Sequence, residues 1–135
     1  LGCNNFGMRI DYDKTVEVLN AAIDAGITFF DTARSYGGGK SEEFMGQALE
    51  GRRDEVVIAT KFASPTSGAP APGSRRNMLR ELEASLRALR TDHIDLYQLH
   101  FPDPRTPIDE TLITWPCPRA TIEGSSASVN RTAAK

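Results

Sequence analysis

The sequence predicts an α/β protein built on parallel strands, and three observations predict it. Short β-branched or aromatic runs alternate with longer segments whose apolar residues recur at helical spacing. Each helical segment separates two strand-like runs, the pattern of parallel strands joined by right-handed crossovers. Polar residues also stand where the runs end or just beyond: Asp31 after Ile27–Phe30, Tyr36 in the following loop, Lys61 after Val56–Thr60, and His100 after Ile94–Leu99. The carboxyl ends of parallel strands face one way, so these four side chains are expected to converge on one site.

The elements follow in order. Leu1–Gly7 reads as the end of a strand entering a glycine-bearing loop. Asp13 is expected to cap a first helix over Lys14–Ala25, where Val16, Leu19 and Ile23 share a face and Gly26 supplies the stop. The strand Ile27–Phe30 suits burial on both faces. After the loop Thr32–Lys40, Ser41 is expected to cap a short helix through Leu49, with Glu42 and Glu43 in its first turn. The strand Val56–Thr60 leads into Ala63–Gly73, rich in Pro, Gly and Ser and expected to be a flexible surface loop. Ser74 or Arg75 opens the strongest helix, with Leu79, Leu82, Leu86 and Leu89 in one stripe and a Glu83–Arg87 pair four residues apart. Its arginines alternate with Glu81 and Glu83, as on a solvated face. Asp92 is expected to break it, Ile94–Leu99 forms the next strand, and Pro107-Ile108-Asp109-Glu110 begins a fourth helix. From residue 113 to 135 no stripe or strand run appears, Pro116 and Pro118 interrupt the chain, and an irregular or disordered tail is expected.

At 135 residues the chain holds one ordinary domain. A closed eight-stranded barrel needs about 250 residues, so a complete one is excluded. A formal net charge of −2 gives no footing for nucleic acid or an anionic membrane as partner. The two cysteines, Cys3 and Cys117, build neither a zinc site nor a disulfide framework, which favours a reducing, cytoplasmic setting. No apolar run reaches the roughly 18 residues of a membrane helix, and no signal-peptide core is seen at the start. The missing initiator Met predicts a true start further upstream.

The four strand-end residues have a joint chemistry. A lysine ammonium within reach of a phenol favours the phenolate, an aspartate holds the lysine charged, and a histidine donates to a substrate oxygen. Together they suit protonation of an oxygen that gains negative charge, as when a carbonyl accepts hydride. The hydride must come from a cofactor, because no side chain supplies one.

Phe30-Asp31-Thr32-Ala33-Arg34-Ser35-Tyr36-Gly37 resembles the Asp-Thr-Ala-x-x-Tyr-Gly signature of the aldo-keto reductases. Leu1–Gly7, Ala59-Thr60-Lys61-Phe62, Ser85–Leu89 and Asp92–His100 match the same family in order, so the resemblance covers residues 1–112. It implies the first four βα units of a (β/α)8 TIM barrel, and reduction of a small aldehyde or ketone with NADPH. Carried over by position, Tyr36 is the general acid, Lys61 strengthens it, Asp31 pairs with Lys61, and His100 orients the carbonyl. Cys3, Asn4 and Asp31 are placed near the nicotinamide ribose. The alternative is a truncated, regulatory chain, akin to the family's ion-channel β subunits, that binds without turnover.

Overall fold

The structure, a computed structural model, describes residues 1–113. The expected tail lies outside the described residues, apart from Ile113, which ends the last helix. Helix α1 spans Tyr12–Asp24 and is capped by Asp11, whose carboxylate accepts from the Lys14 N–H at 3.0 Å. It therefore begins two residues before the expected start, because Asp11 rather than Asp13 has the extended backbone a cap requires. Gly26 follows it at φ +80°, the expected left-handed stop.

Strands β1 (Phe29–Asp31), β2 (Val57–Phe62) and β3 (Leu96–Leu99) form one parallel sheet in that order. Phe30 pairs with Ile58 and Ala59 with Leu96. The strand expected at the start is reduced to a bridge from Gly2 to Asp31, since the chain turns back after Cys3. Helix α2 spans Lys40–Ala48, α3 spans Arg75–Ala88 and α4 spans Ile108–Ile113. The expected alternation of strand and helix is thus present.

Period-two alternation divides the sheet into two faces. Phe30, Ile58, Thr60, Phe62 and Tyr97 are buried on the helix side, with Leu19, Met45, Met78, Leu82 and Leu86. On the opposite face Phe29 is 46 % exposed and Val57 and Leu96 are each 40 % exposed. Burial on both faces, expected for the first strand, therefore holds for only one of them among the described residues. On the other, Ala59 is buried while Phe29, Val57 and Leu96 stay open.

Three local expectations are corrected. Ser41 is not a cap: Gly39, at φ +100°, precedes α2, and the Ser41 hydroxyl is buried inside the first turn. Glu81 is not on a solvated face. It is buried, accepting from the Ala63 N–H and the Asn77 side-chain amide, each at 3.1 Å. The Ala63–Gly73 loop is anchored: Ser64 caps a 3₁₀ turn over Pro65–Ser67, and Asn77 and Asp103 bond the backbone of Pro72 and Gly73. Ser74 caps α3 as expected. The helix stops where Arg90 turns to φ +51°, before Asp92.

Candidate active site

Asp31, Lys61 and His100 share one face of the sheet by parity. Asp31 is two residues beyond Phe29, Lys61 four beyond Val57, and His100 four beyond Leu96. Lys61 lies within β2 rather than after it, because the pairing with β3 continues to Phe62. His100 stands just past β3, with its N–H on the Phe62 carbonyl at 2.9 Å.

The Lys61 ammonium donates to Asp31 Oδ1 at 2.6 Å and to the Thr32 carbonyl at 2.8 Å. It sits 5.1 Å from the centre of the Tyr36 ring. Tyr36 opens the 3₁₀ turn Tyr36–Gly39, where Gly37, Gly38 and Gly39 all have positive φ. A Cβ on Gly37 would stand 2.7 Å from the Phe6 carbonyl, so the turn can approach the first loop only with glycine there. The Tyr36 and His100 rings meet edge-on with centroids 5.7 Å apart, and the Phe101 ring packs against His100 at 4.5 Å. All four expected residues are brought together.

The imidazole is the most informative group. Its Nδ1 is buried and has no hydrogen-bond partner among the described residues. Burial, followed by the nearby Lys61 charge, holds His100 below the ordinary histidine range, against the opposing pull of Asp31. A neutral imidazole with an unmatched polar atom suits a polar ligand atom on this face. Asp31 has committed only Oδ1 to a side-chain partner among the described residues, and its half-exposed carboxylate retains Oδ2 as an acceptor for a hydroxyl.

Cys3 and Asn4 stand differently. The Cys3 thiol is buried in the core, and burial pushes its pKa up to about 12. Its N–H donates to the Asp31 carbonyl at 2.9 Å, and its carbonyl accepts from Ser41 Oγ at 2.9 Å. Its polar backbone groups are therefore occupied. Asn4 is exposed in the turn that follows.

Residues that sequence reasoning passed over hold this arrangement from below. Ser41 spends its single hydroxyl proton on Cys3, so the buried Thr32 hydroxyl donates to Ser41 at 2.9 Å. The first loop, the β1 end and α2 are thereby tied beneath the Lys61 acceptors. Buried Glu42 accepts from Thr60 Oγ1 at 2.7 Å, and Arg34 reaches it at 3.5 Å. Burial raises its pKa, while the Thr60 hydroxyl and Arg34 pull the other way. Only the position of Ser41 and Glu42 at the start of a helix was visible beforehand, and there Ser41 read as the cap and Glu42 as a carboxylate favoured by the helix dipole.

The model of the aldo/keto reductase family matches residues 1–116. An aldo-keto reductase of Bacillus subtilis, YhdN, is 46 % identical over 105 residues, covering 75 % of this chain and 32 % of that protein. A probable voltage-gated potassium channel β subunit of rice is 39 % identical over 111 residues, covering 79 % of this chain and 34 % of its own length. Among solved structures, the holo form of aldo-keto reductase AKR11C1 from Bacillus halodurans superposes with a TM-score of 0.74 at 36 % identity, over 85 % of this chain and 39 % of that one. The chain thus spans about a third of the length of the curated relatives it matches.

Proposed function

The chain belongs to the aldo/keto reductase family, and from that premise we propose that it carries the proton-transfer half of a reductase acting on aldehydes or ketones. Its three strands are read as an arc of a (β/α)8 barrel whose inner face carries the site. The observation that carries the proposal is the junction of the Lys61–Asp31 ion pair, the Tyr36 ring and the His100 nitrogen that has no partner among the described residues, at one end of a parallel sheet.

A bound nicotinamide, NADPH in this reading, supplies the hydride. Asp31 Oδ2 and the exposed Asn4 amide are the groups that would hold its ribose end, whereas Cys3 is fitted for packing. His100 donates a hydrogen bond to the carbonyl oxygen and fixes its direction. Tyr36 gives its proton to that oxygen as negative charge develops there. Lys61 stabilises the phenolate left behind, held charged and aimed by Asp31 and the Thr32 carbonyl.

The test is NADPH oxidation with and without a small aldehyde, followed by the loss of the reduced nicotinamide's absorbance. Tyr36→Phe is expected to lower kcat by about 10²–10⁴-fold while NADPH binding persists. Unchanged turnover in that variant defeats the assignment. The identity shared with the rice channel subunit favours a second reading, in which the chain binds nucleotide in a regulatory assembly. Saturable NADPH binding with no carbonyl-dependent oxidation in the wild type selects it.

A further inference from the structure

Away from the four residues of the proposed site, a cavity of about 420 Å³ opens between the loop after β1, the loop after β2 and α3. None of Asp31, Tyr36, Lys61 or His100 lines it. It is lined by two arginines, Arg34 and Arg80, and by the hydroxyl-bearing residues Ser35, Ser64, Thr66 and Ser67. We propose that this cavity binds a phosphorylated small molecule, its phosphate held between Arg34 and Arg80.

The donors are in place and largely uncommitted. The Arg34 side chain makes one long contact, Nη1 to Glu42 at 3.5 Å, which leaves Nε and Nη2 without a partner among the described residues. Arg80 spends a single Nη2 contact on Asn77 Oδ1 among the described residues. The two arginines come from different elements, so a group with three terminal oxygens can bridge them where a lone carboxylate engages one fork. Ser64 and Thr66 already bond each other at 2.8 Å, which orders the hydroxyl wall. A carboxylate, Glu81, also lines the cavity, but both of its oxygens are turned to the Ala63 N–H and the Asn77 amide. The arginines therefore set the sign of the site. Its volume falls within the range of small-molecule pockets and exceeds the needs of an inorganic ion alone, which leaves room for an organic part.

The cavity is tested by titrating inorganic phosphate and glycerol 3-phosphate into the protein at constant ionic strength, by calorimetry and by amide chemical shifts. Glycerol 3-phosphate is expected to bind saturably with a dissociation constant of about 1 mM or tighter, and more tightly than inorganic phosphate. The amides of Gly38, Thr66 and Ser67 are expected to shift during the titration. Arg80→Gln and Arg34→Gln are each expected to weaken binding at least tenfold. Arg80 is exposed, so its variant remains decisive even where Arg34→Gln disturbs the fold beside Glu42. Absence of binding, or undiminished binding in Arg80→Gln, overturns the proposal. Neither result bears on Tyr36 or the reductase reading.

Discussion

His100 and Glu42 are two titrating side chains whose burial works in opposite directions on the pH scale. His100 is held below its ordinary 6.5 by burial and then by Lys61. The unfolded chain therefore takes up its proton first, and stability rises with pH. The share due to His100 is complete above 6.5 and is lost as the pH falls through 6.5 toward the lower native value. His100→Gln is expected to flatten that slope, measured as urea midpoints between pH about 7.5 and about 5. Glu42 runs the other way. Its raised pKa means that the folded chain holds a proton longer than the unfolded one, so the share it contributes is full below 4.5 and is lost as the pH rises through the native value. Arg34 compensates weakly at 3.5 Å, so desolvation dominates. Glu42→Gln is expected to raise the urea midpoint near neutral pH, a gain that fades below pH 4.5.

Helix α3 shows how an element depends on single contacts and on how its ends are closed. Its buried Glu81 satisfies the N–H of Ala63, a residue held at φ +62°. Glu81→Ala leaves that donor unpaired and takes one of the two acceptors of the Asn77 amide, which keeps the Pro72 carbonyl, and is expected to cost about 1–3 kcal/mol in denaturant unfolding. Sequence reasoning placed Glu81 among solvated charges because only the stripe of leucines marks the inner face of the helix. The loop whose backbone needs this carboxylate lies 18 residues earlier in the chain. At the far end, Arg90 adopts φ +51° while its guanidinium pairs with exposed Glu50 at 3.0 Å. The left-handed backbone costs a non-glycine residue about 1–2 kcal/mol, whereas an exposed ion pair contributes about 0–1 kcal/mol. Arg90→Gly is therefore expected to raise the urea midpoint. The stripe itself, the Ser74 cap and the Glu83–Arg87 pair at 3.7 Å were legible, because each depends on neighbours within a few helical turns.

For the described residues as a whole, the alternation of elements and the meeting of Asp31, Tyr36, Lys61 and His100 were readable from strand-end spacing and the family signature. What the spacing hid was the depth of each element. Lys61 lies inside β2, the first expected strand is a single bridge, and the inner row of Phe29, Val57 and Leu96 is exposed. Hydrophobicity alone marks a residue as strand-like without saying which face is covered. The 135-residue chain is accordingly expected to bind the dye ANS and to self-associate with rising concentration, by light scattering. The double variant Val57→Thr with Leu96→Thr, both on that row, is expected to reduce both signals. Equal dye binding in the variant excludes the row as the source.

The pairing of Phe30 with Ile58 and of Asp31 with Ala59 is a register, and side chains alternate along it with a period of two. A slip of one residue in β2 would turn Lys61 toward α2 and bring Thr60 or Phe62 to the opposite face, breaking the 2.6 Å contact with Asp31. The ion pair is thus a parity bit for the sheet, readable only when strand alignment is correct. Any signal that depends on the Lys61–Asp31 contact counts correctly aligned molecules. A preparation that loses that signal while keeping its far-ultraviolet circular dichroism would be one whose strands have formed out of step.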